Sequence, residues 1–234
     1  MSINDKKTAT VVFVNQHCSD TRSVLLQVEK PFSFTAGQFI MLNVPYKTTF
    51  VRRAYSIASA PQSGVLEICL NLVPEGIASN YIFGLHEGDK ILFDGPWGVF
   101  KVRKNSNKEK WFVATGTGIA PLRSMIHDLL DNDVEEQVTL VFGERTEEEL
   151  LYRAEFEQLA LKHSHFHYIP TLSRPENGWA GEKGYVQHTM KKYLKKPQHV
   201  EVYICGLKEM VDDVQSTLFS LGVDARDIFT EKFV

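Results

Sequence analysis

The stretch WFVATGTGIAPLRSM, residues 111–125, decides how the chain is read. It passes from an apolar segment of strand length into Gly116-Thr117-Gly118 and on to Pro121. Thr115 closes the predicted strand and the glycines make a turn. Pro121 suits the first turn of a helix, where its missing N–H is not needed. Glycines let the backbone come close to a ligand, and free N–H groups at a helix start favour a phosphate. The turn is neither GxGxxG nor GxxxxGK[ST], so alone it fits either a phosphate site or a plain strand-to-helix connection.

Beyond this turn, strands and helices alternate. WFVAT, QVTLVFG, FHYIPTLS and HVEVYIC read as buried strands; PLRSMIHDLL, EELLYRAEFEQLALK, YVQHTMKKYL and KEMVDDVQSTLFSL read as helices. Such alternation predicts a parallel sheet covered by helices on both faces, with ligands at the carboxyl ends of its strands. HVEVYIC ends at such a position in Cys205-Gly206, where the cysteine is either a small core residue or a site residue.

Upstream the rhythm differs. TATVVFVN, SVLLQVE, GQFIMLNV, RRAYSIAS, VLEICLNLV and KILFDGPW are strand-length and rich in β-branched and aromatic residues, separated by PFSFTAG, APQSG and VPEG. Six strands with one brief helix near residues 77–86 predict a six-stranded antiparallel β-barrel. KVRKNSNKEK (101–110) is polar and aperiodic, so the chain divides into a barrel domain at 1–103, a linker at 104–110 and an α/β domain at 111–234.

Composition narrows the functions. The 234 residues are 43% hydrophobic and 24% charged, with a formal net charge of -3, which argues against nucleic-acid binding. No apolar run is long enough to span a membrane, and MSINDKKTAT lacks the apolar core of a signal peptide, so a cytoplasmic location is expected. Cys18, Cys69 and Cys205 are too few and too scattered for a disulfide framework, a zinc site or an iron–sulfur cluster. His163, His165 and His167 alternate and on a strand would share a face, but with no carboxylate or cysteine nearby in sequence no metal site is expected. EEEL at 147–150 reads as the acidic first turn of a helix, and Asp94-Gly95-Pro96-Trp97-Gly98 as a tight turn closing the barrel, with Trp97 packing.

In the barrel half, Arg53-Ala54-Tyr55-Ser56 places a guanidinium and a flat aromatic on one face of a strand, with Ala54 and Ser56 on the other. In PEGIASNYIF, Gly76 and Ser79 stand where a loop enters the brief helix, a second candidate anion site. Arg-x-Tyr-Ser, Gly-x-x-Ser, Gly-Thr-Gly-x-Ala-Pro and Cys-Gly-x-x-x-Met follow in that order, and the chain from about Thr8 to Phe233 resembles the ferredoxin–NADP reductase superfamily of flavoproteins.

The resemblance implies FAD in the barrel domain and NADPH or NADH in the α/β domain. Hydride would pass from NAD(P)H to FAD, and electrons on to a protein acceptor such as ferredoxin, flavodoxin or an oxygenase component. Arg53 would pair with the FAD pyrophosphate, Tyr55 would stack on the flavin, and Ser56 would bond near the flavin nitrogen that accepts hydride. Ala54 and the backbone of Cys69, Leu70 and Asn71 would line the cofactor; Gly76, Ile77, Ala78 and Ser79 would hold its phosphates. Thr115, Gly116, Thr117, Gly118 and Pro121 would hold the nicotinamide dinucleotide's pyrophosphate, and Cys205-Gly206 would lie against its nicotinamide. Glu231 would complete a polar cluster with Ser56 and Cys205, and Phe233 would lie near the flavin, although Val234 follows it where plastid-type members end on the aromatic.

Arg145, Ser173, Arg174 and Lys183 follow strands, and Ser173-Arg174 resembles the family's pair for the adenosine 2′-phosphate; this leans the coenzyme towards NADPH. Two other readings stand beside a reductase with bound FAD. FTAGQF and ENGWAGEKG also occur in similar form in flavin reductases that use free flavin, and a non-catalytic electron-transfer or nucleotide-sensing subunit is the third.

Overall fold

The computed structural model describes residues 6–132 and 134–233, so Val234 lies outside the described residues. The chain forms two compact units. One holds the residues through Lys101 together with Arg123–Asp128; the other holds Val102–Leu122 and Leu129 onward.

The first unit contains β1 (Lys7–Cys18), β2 (Thr21–Val28), β3 (Phe39–Tyr46), β4 (Thr49–Ser56), β5 (Leu66–Asn71), α1 (Ile77–Phe83) and β6 (Lys90–Trp97). Its strands are antiparallel in the order β4-β3-β6-β1-β2-β5, and a bridge between Ile57 and Ile68 joins the two outer strands into a barrel. Period-two alternation explains the core. Val24 and Leu26, Ile40, Leu42 and Val44, Leu66, Ile68 and Leu70, and Ile91 and Phe93 all point inward, where Ala78 and Ile82 of α1 join them. Each large side chain so buried stabilises the fold by roughly 1.5–3 kcal/mol.

The second unit contains β7 (Glu109–Thr115), α2 (Ile119–Asp131), β8 (Val138–Glu144), α3 (Arg153–Lys162), β9 (Phe166–Leu172), β10 (Glu182–Lys183), α4 (Val186–Tyr193), β11 (Val200–Leu207), α5 (Lys208–Ser220) and β12 (Ile228–Phe233). All six strands run parallel, in the order β10-β9-β8-β7-β11-β12. The chain steps outward through β8 and β9, then returns to lay β11 on the other flank of β7. The direction of winding therefore switches between β7 and β11. Among the described residues, no helix is long and apolar enough to cross a membrane.

Several local expectations are corrected. Residues 148–162 are not one helix. Glu147–Glu149 forms a single 3-10 turn, Leu150 is extended, Tyr152 is left-handed at φ 56°, and α3 starts only at Arg153. Leu150 and Leu151 are buried, and drawing both inward breaks the helix between the two turns. Asp94–Trp97 is not a tight turn but the end of β6. There the register against β3 shifts between Phe39 and Met41, with Gly95 at φ 139°. β9 begins at Phe166, so His163 and His165 precede the strand that was to align three histidines. Among the described residues no group of three or more His, Cys, Asp or Glu is placed to hold a metal ion. β10 and β12 were not anticipated, because two residues of β10 and the mixed pattern of IFTEKF carry little strand signal.

The polar stretch 101–110, whose last two residues open β7, is held by ion pairs. Lys110 and Glu201 are both buried and pair at 3.1 Å, while Arg103 reaches Glu201 at 3.1 Å and Asp227 at 2.9 Å. Lys108 pairs with Asp227 at 2.6 Å, and the Tyr203 hydroxyl donates to Glu201 at 3.0 Å. Removing one member of a buried pair leaves a charge unmatched. Glu201→Ala should therefore lower the unfolding free energy by about 3–5 kcal/mol, read from denaturant titration.

Candidate functional site

In the first unit, strand alternation separates two adjacent arginines. Arg52 donates to both carboxylate oxygens of Asp94 at 2.7 and 2.8 Å, and that carboxylate also accepts from Trp97 Nε1 at 2.8 Å and Asn43 Nδ2 at 3.3 Å. Burial alone would raise the Asp94 carboxyl, but bonds from Trp97, Asn43 and Arg52 hold it below its usual range. Trp97 is thereby a structural donor. Arg53 has no carboxylate partner among the described residues; it is exposed and bonds only the Arg52 carbonyl, at 2.9 Å.

Next to it, Tyr55 is half-buried against the barrel core. Burial pushes its phenol up to about 12, against the pull of the Arg53 charge, so the ring stays neutral. Ser56 is buried one residue further on, and Ala54 is exposed. Cys69 and Leu70 are buried and Asn71 exposed at the end of β5, an outer strand of the sheet. Gly76 caps α1. A Cβ on it would lie 2.8 Å from Ser79 Oγ and 2.9 Å from Val73 Cβ, so packing requires the glycine. The buried Ser79 hydroxyl accepts from Val73 N at 3.1 Å and lies 3.2 Å from the carbonyls of Val73 and Gly76. Its side chain thus pins the 73–76 loop, leaving the backbone N–H groups of Ile77 and Ala78 without partners inside the helix.

In the second unit, two sequence motifs meet directly. Gly116–Gly118 forms one 3-10 turn that runs into α2, with Pro121 buried as the third residue of the helix. A Cβ on Gly118 would lie 2.3 Å from the Cys205 carbonyl oxygen and 2.7 Å from Gly206 N. Gly206, at φ 154°, would in turn push a Cβ to 2.7 Å from Thr115 Oγ1. The ends of β7 and β11 are therefore in backbone contact where the winding reverses. Gly116 differs: at φ 56° it is left-handed, and open space surrounds it.

β12 brings Glu231 to the same place, since it pairs with Cys205 in register, while Phe233 pairs with Leu207. Burial, reinforced by the Glu231 charge, pushes the Cys205 thiol well above its ordinary value, so it remains a neutral thiol. Parallel pairing of the last strand is what joins the two residues, and no spacing in the sequence announces it.

The loops after β8 and β9 are also joined. Ser173 N donates to the Glu144 carbonyl at 2.9 Å and Arg174 N to the Arg145 carbonyl at 2.8 Å. Lys183 pairs with Leu172 across β10 and β9. Arg145, Arg174 and Lys183 are exposed, and among the described residues none has an ion-pair partner. Three unmatched cations at the ends of neighbouring strands fit an anionic group. The free guanidinium of Arg53 beside a neutral flat ring fits a ligand that combines an aromatic system with phosphates.

A barrel with that donor set, and a parallel sheet whose switch point carries a glycine turn, define an FAD- and nicotinamide-nucleotide-binding oxidoreductase. Residues 8–102 match the model of the oxidoreductase FAD-binding domain and residues 112–216 that of the oxidoreductase NAD-binding domain. Ferredoxin–NADP reductase B of Sorangium cellulosum is 36% identical, over 87% of this chain and 87% of its own length. The phenol hydroxylase P5 protein of Acinetobacter pittii is 35% identical over 97% of this chain, which spans 65% of that relative. The structure of a ferredoxin NADP+ reductase from Neisseria gonorrhoeae with bound FAD and NADP superposes with a TM-score of 0.86 at 25% identity, covering 97% of this chain and 98% of that one. The chain belongs to the ferredoxin–NADP reductase superfamily.

The two glycines of the turn should respond differently. Gly118→Ala drives a methyl into backbone and should cost about 1–3 kcal/mol, with a shift in the Cys205 environment visible by NMR. Gly116→Ala meets only left-handed strain and should cost about 1–2 kcal/mol with no such shift.

Proposed function

We propose that this chain is an FAD-containing NAD(P)H reductase that delivers electrons to a redox protein, a ferredoxin, a flavodoxin or an oxygenase component, in the cytoplasm. The barrel through residue 103 is the FAD domain and residues 111–234 the NAD(P) domain. The observation that carries the reading is the contact of Gly118 with the Cys205–Gly206 peptide at the winding switch, with Glu231 alongside. The relatives named for ferredoxin–NADP and phenol hydroxylase systems support the choice of acceptors.

Bound FAD would supply the site with a hydride-accepting ring able to release electrons onward. The protein's part is orientation. Arg53 holds the FAD pyrophosphate, with backbone N–H groups of Ile77, Ala78 and Ser79 at the Gly76 turn. Tyr55 offers a neutral face for stacking. Ala54, Cys69, Leu70 and Asn71 line the cofactor, and Ser56 bonds near its reacting nitrogen. Thr115, Gly116, Thr117, Gly118 and Pro121 cradle the coenzyme pyrophosphate; Cys205, Gly206 and Phe233 pack by the rings, and Glu231 adjusts the charge beside them. Arg145, Ser173, Arg174 and Lys183 hold the adenosine 2′-phosphate, favouring NADPH. The free Arg53 favours retained FAD over diffusible flavin.

The pure protein should be yellow and release FAD on denaturation. Arg53→Ala should weaken FAD about 10- to 150-fold, since a charge-assisted bond contributes about 1.5–3 kcal/mol. A colourless wild type rejects the reading.

Cys205→Ala should slow flavin reduction by NAD(P)H severalfold in rapid mixing, with the flavin spectrum unchanged. Because burial keeps the thiol neutral, the wild-type rate should show no Cys205 ionisation between about pH 6 and 9. An unchanged rate in the variant reduces Cys205 to a packing residue.

A further inference from the structure

Arg153, the first residue of α3, lies between the two loops that carry the unmatched cations. Its guanidinium bonds Glu147, two residues beyond Arg145, and its Nε donates to Glu157 at 2.7 Å. Its Cζ also sits 5.4 Å from the ring centroid of Trp179, within the range of a cation–π contact. Trp179 belongs to the loop between Arg174 and Lys183, and its indole N–H donates to the Glu182 carbonyl at 2.9 Å. A Cβ on Gly181 would lie 2.3 Å from the Trp179 ring, so the ring is seated directly on its own loop. Glu182 is anchored in turn by Lys192 Nζ at 2.7 Å and the Tyr193 hydroxyl at 2.7 Å.

Charge divides the roles. Arg153 is neutralised by Glu147 and Glu157, whereas among the described residues Arg145, Arg174 and Lys183 have no carboxylate partner. Arg153 therefore adds no attraction for an anion. It holds in place the residues that do.

Resting on the reading of Arg145, Ser173, Arg174 and Lys183 as the 2′-phosphate site, we propose that Arg153 and Trp179 are positioning residues for coenzyme selectivity. They fix the loop after β8 against the loop before β10, so that the three free cations converge on one phosphate. Besides these contacts, Ser173 and Arg174 join the loops through their backbone N–H groups, and the Ser173 hydroxyl lies 3.5 Å from the Glu144 carbonyl.

The test is calorimetric titration of the FAD-loaded full chain with adenosine 2′,5′-bisphosphate and, for comparison, ADP. Arg153→Met and Trp179→Leu should each weaken the bisphosphate about five- to tenfold while leaving ADP unchanged. Trp179→Phe, which keeps an aromatic face, should retain most of the affinity and guards against misfolding of the leucine variant. Equal weakening of both ligands would mark a merely structural role and overturn the proposal. So would unchanged bisphosphate affinity in both variants when Arg174→Ala weakens it. If Arg174→Ala itself changes nothing, the phosphate-site reading fails, and the selectivity role of Arg153 and Trp179 falls with it.

Discussion

The second unit depends on a contact between two stretches of backbone. At the end of β7, Gly118 lies so close to the Cys205–Gly206 peptide that no side chain fits between them. In a wound parallel sheet, the strands on either side of the switch diverge at their carboxyl ends into different loops, and a crevice opens there. Glycine at 118 and 206 lets those loops touch at their base. The helix start after β7 and the end of β11 then face the same crevice, without a long side chain needed to bridge it. Thr115, Cys205 and Glu231 take their places from that closure.

Charge is used in two ways in this protein. Arg52 and Arg153 are saturated by carboxylates and act as braces. Among the described residues, Arg53, Arg145 and Arg174 have no carboxylate partner and stand exposed, so their field is available to a ligand. Composition cannot separate the two kinds, because a guanidinium is identified by its partners and those come from other strands and loops.

Much of the fold was legible because its periodicities are strong. Six strand-length segments rich in β-branched and aromatic residues, parted by turn residues, pointed to the barrel, and buried runs such as QVTLVFG to the parallel strands, since strands covered on both faces show no polar alternation. The glycine turn and Cys205-Gly206 were legible as motifs, but their contact was not, since only sheet order makes β7 and β11 neighbours. β12 was hidden because IFTEKF borders the sheet on one side only and needs little apolar content. Glu147–Lys162 misled because its helical propensity is real while burial of Leu150 and Leu151 overrides it. The pairing of Lys108 and Lys110 was not legible in the polar stretch 101–110. Their partners Asp227 and Glu201 lie about a hundred residues away.

The ion cluster around Glu201 also gives the second unit a particular response to heat. Hydration of charged groups becomes less favourable as temperature rises, so keeping Lys110 and Glu201 out of water carries a smaller penalty in warm solution than in cold. The attraction among Arg103, Lys110, Glu201 and Asp227 persists meanwhile. A group of charges that contributes least in the cold thus contributes more on warming, and it ties the segment from Arg103 to Lys110 to Glu201 and Asp227.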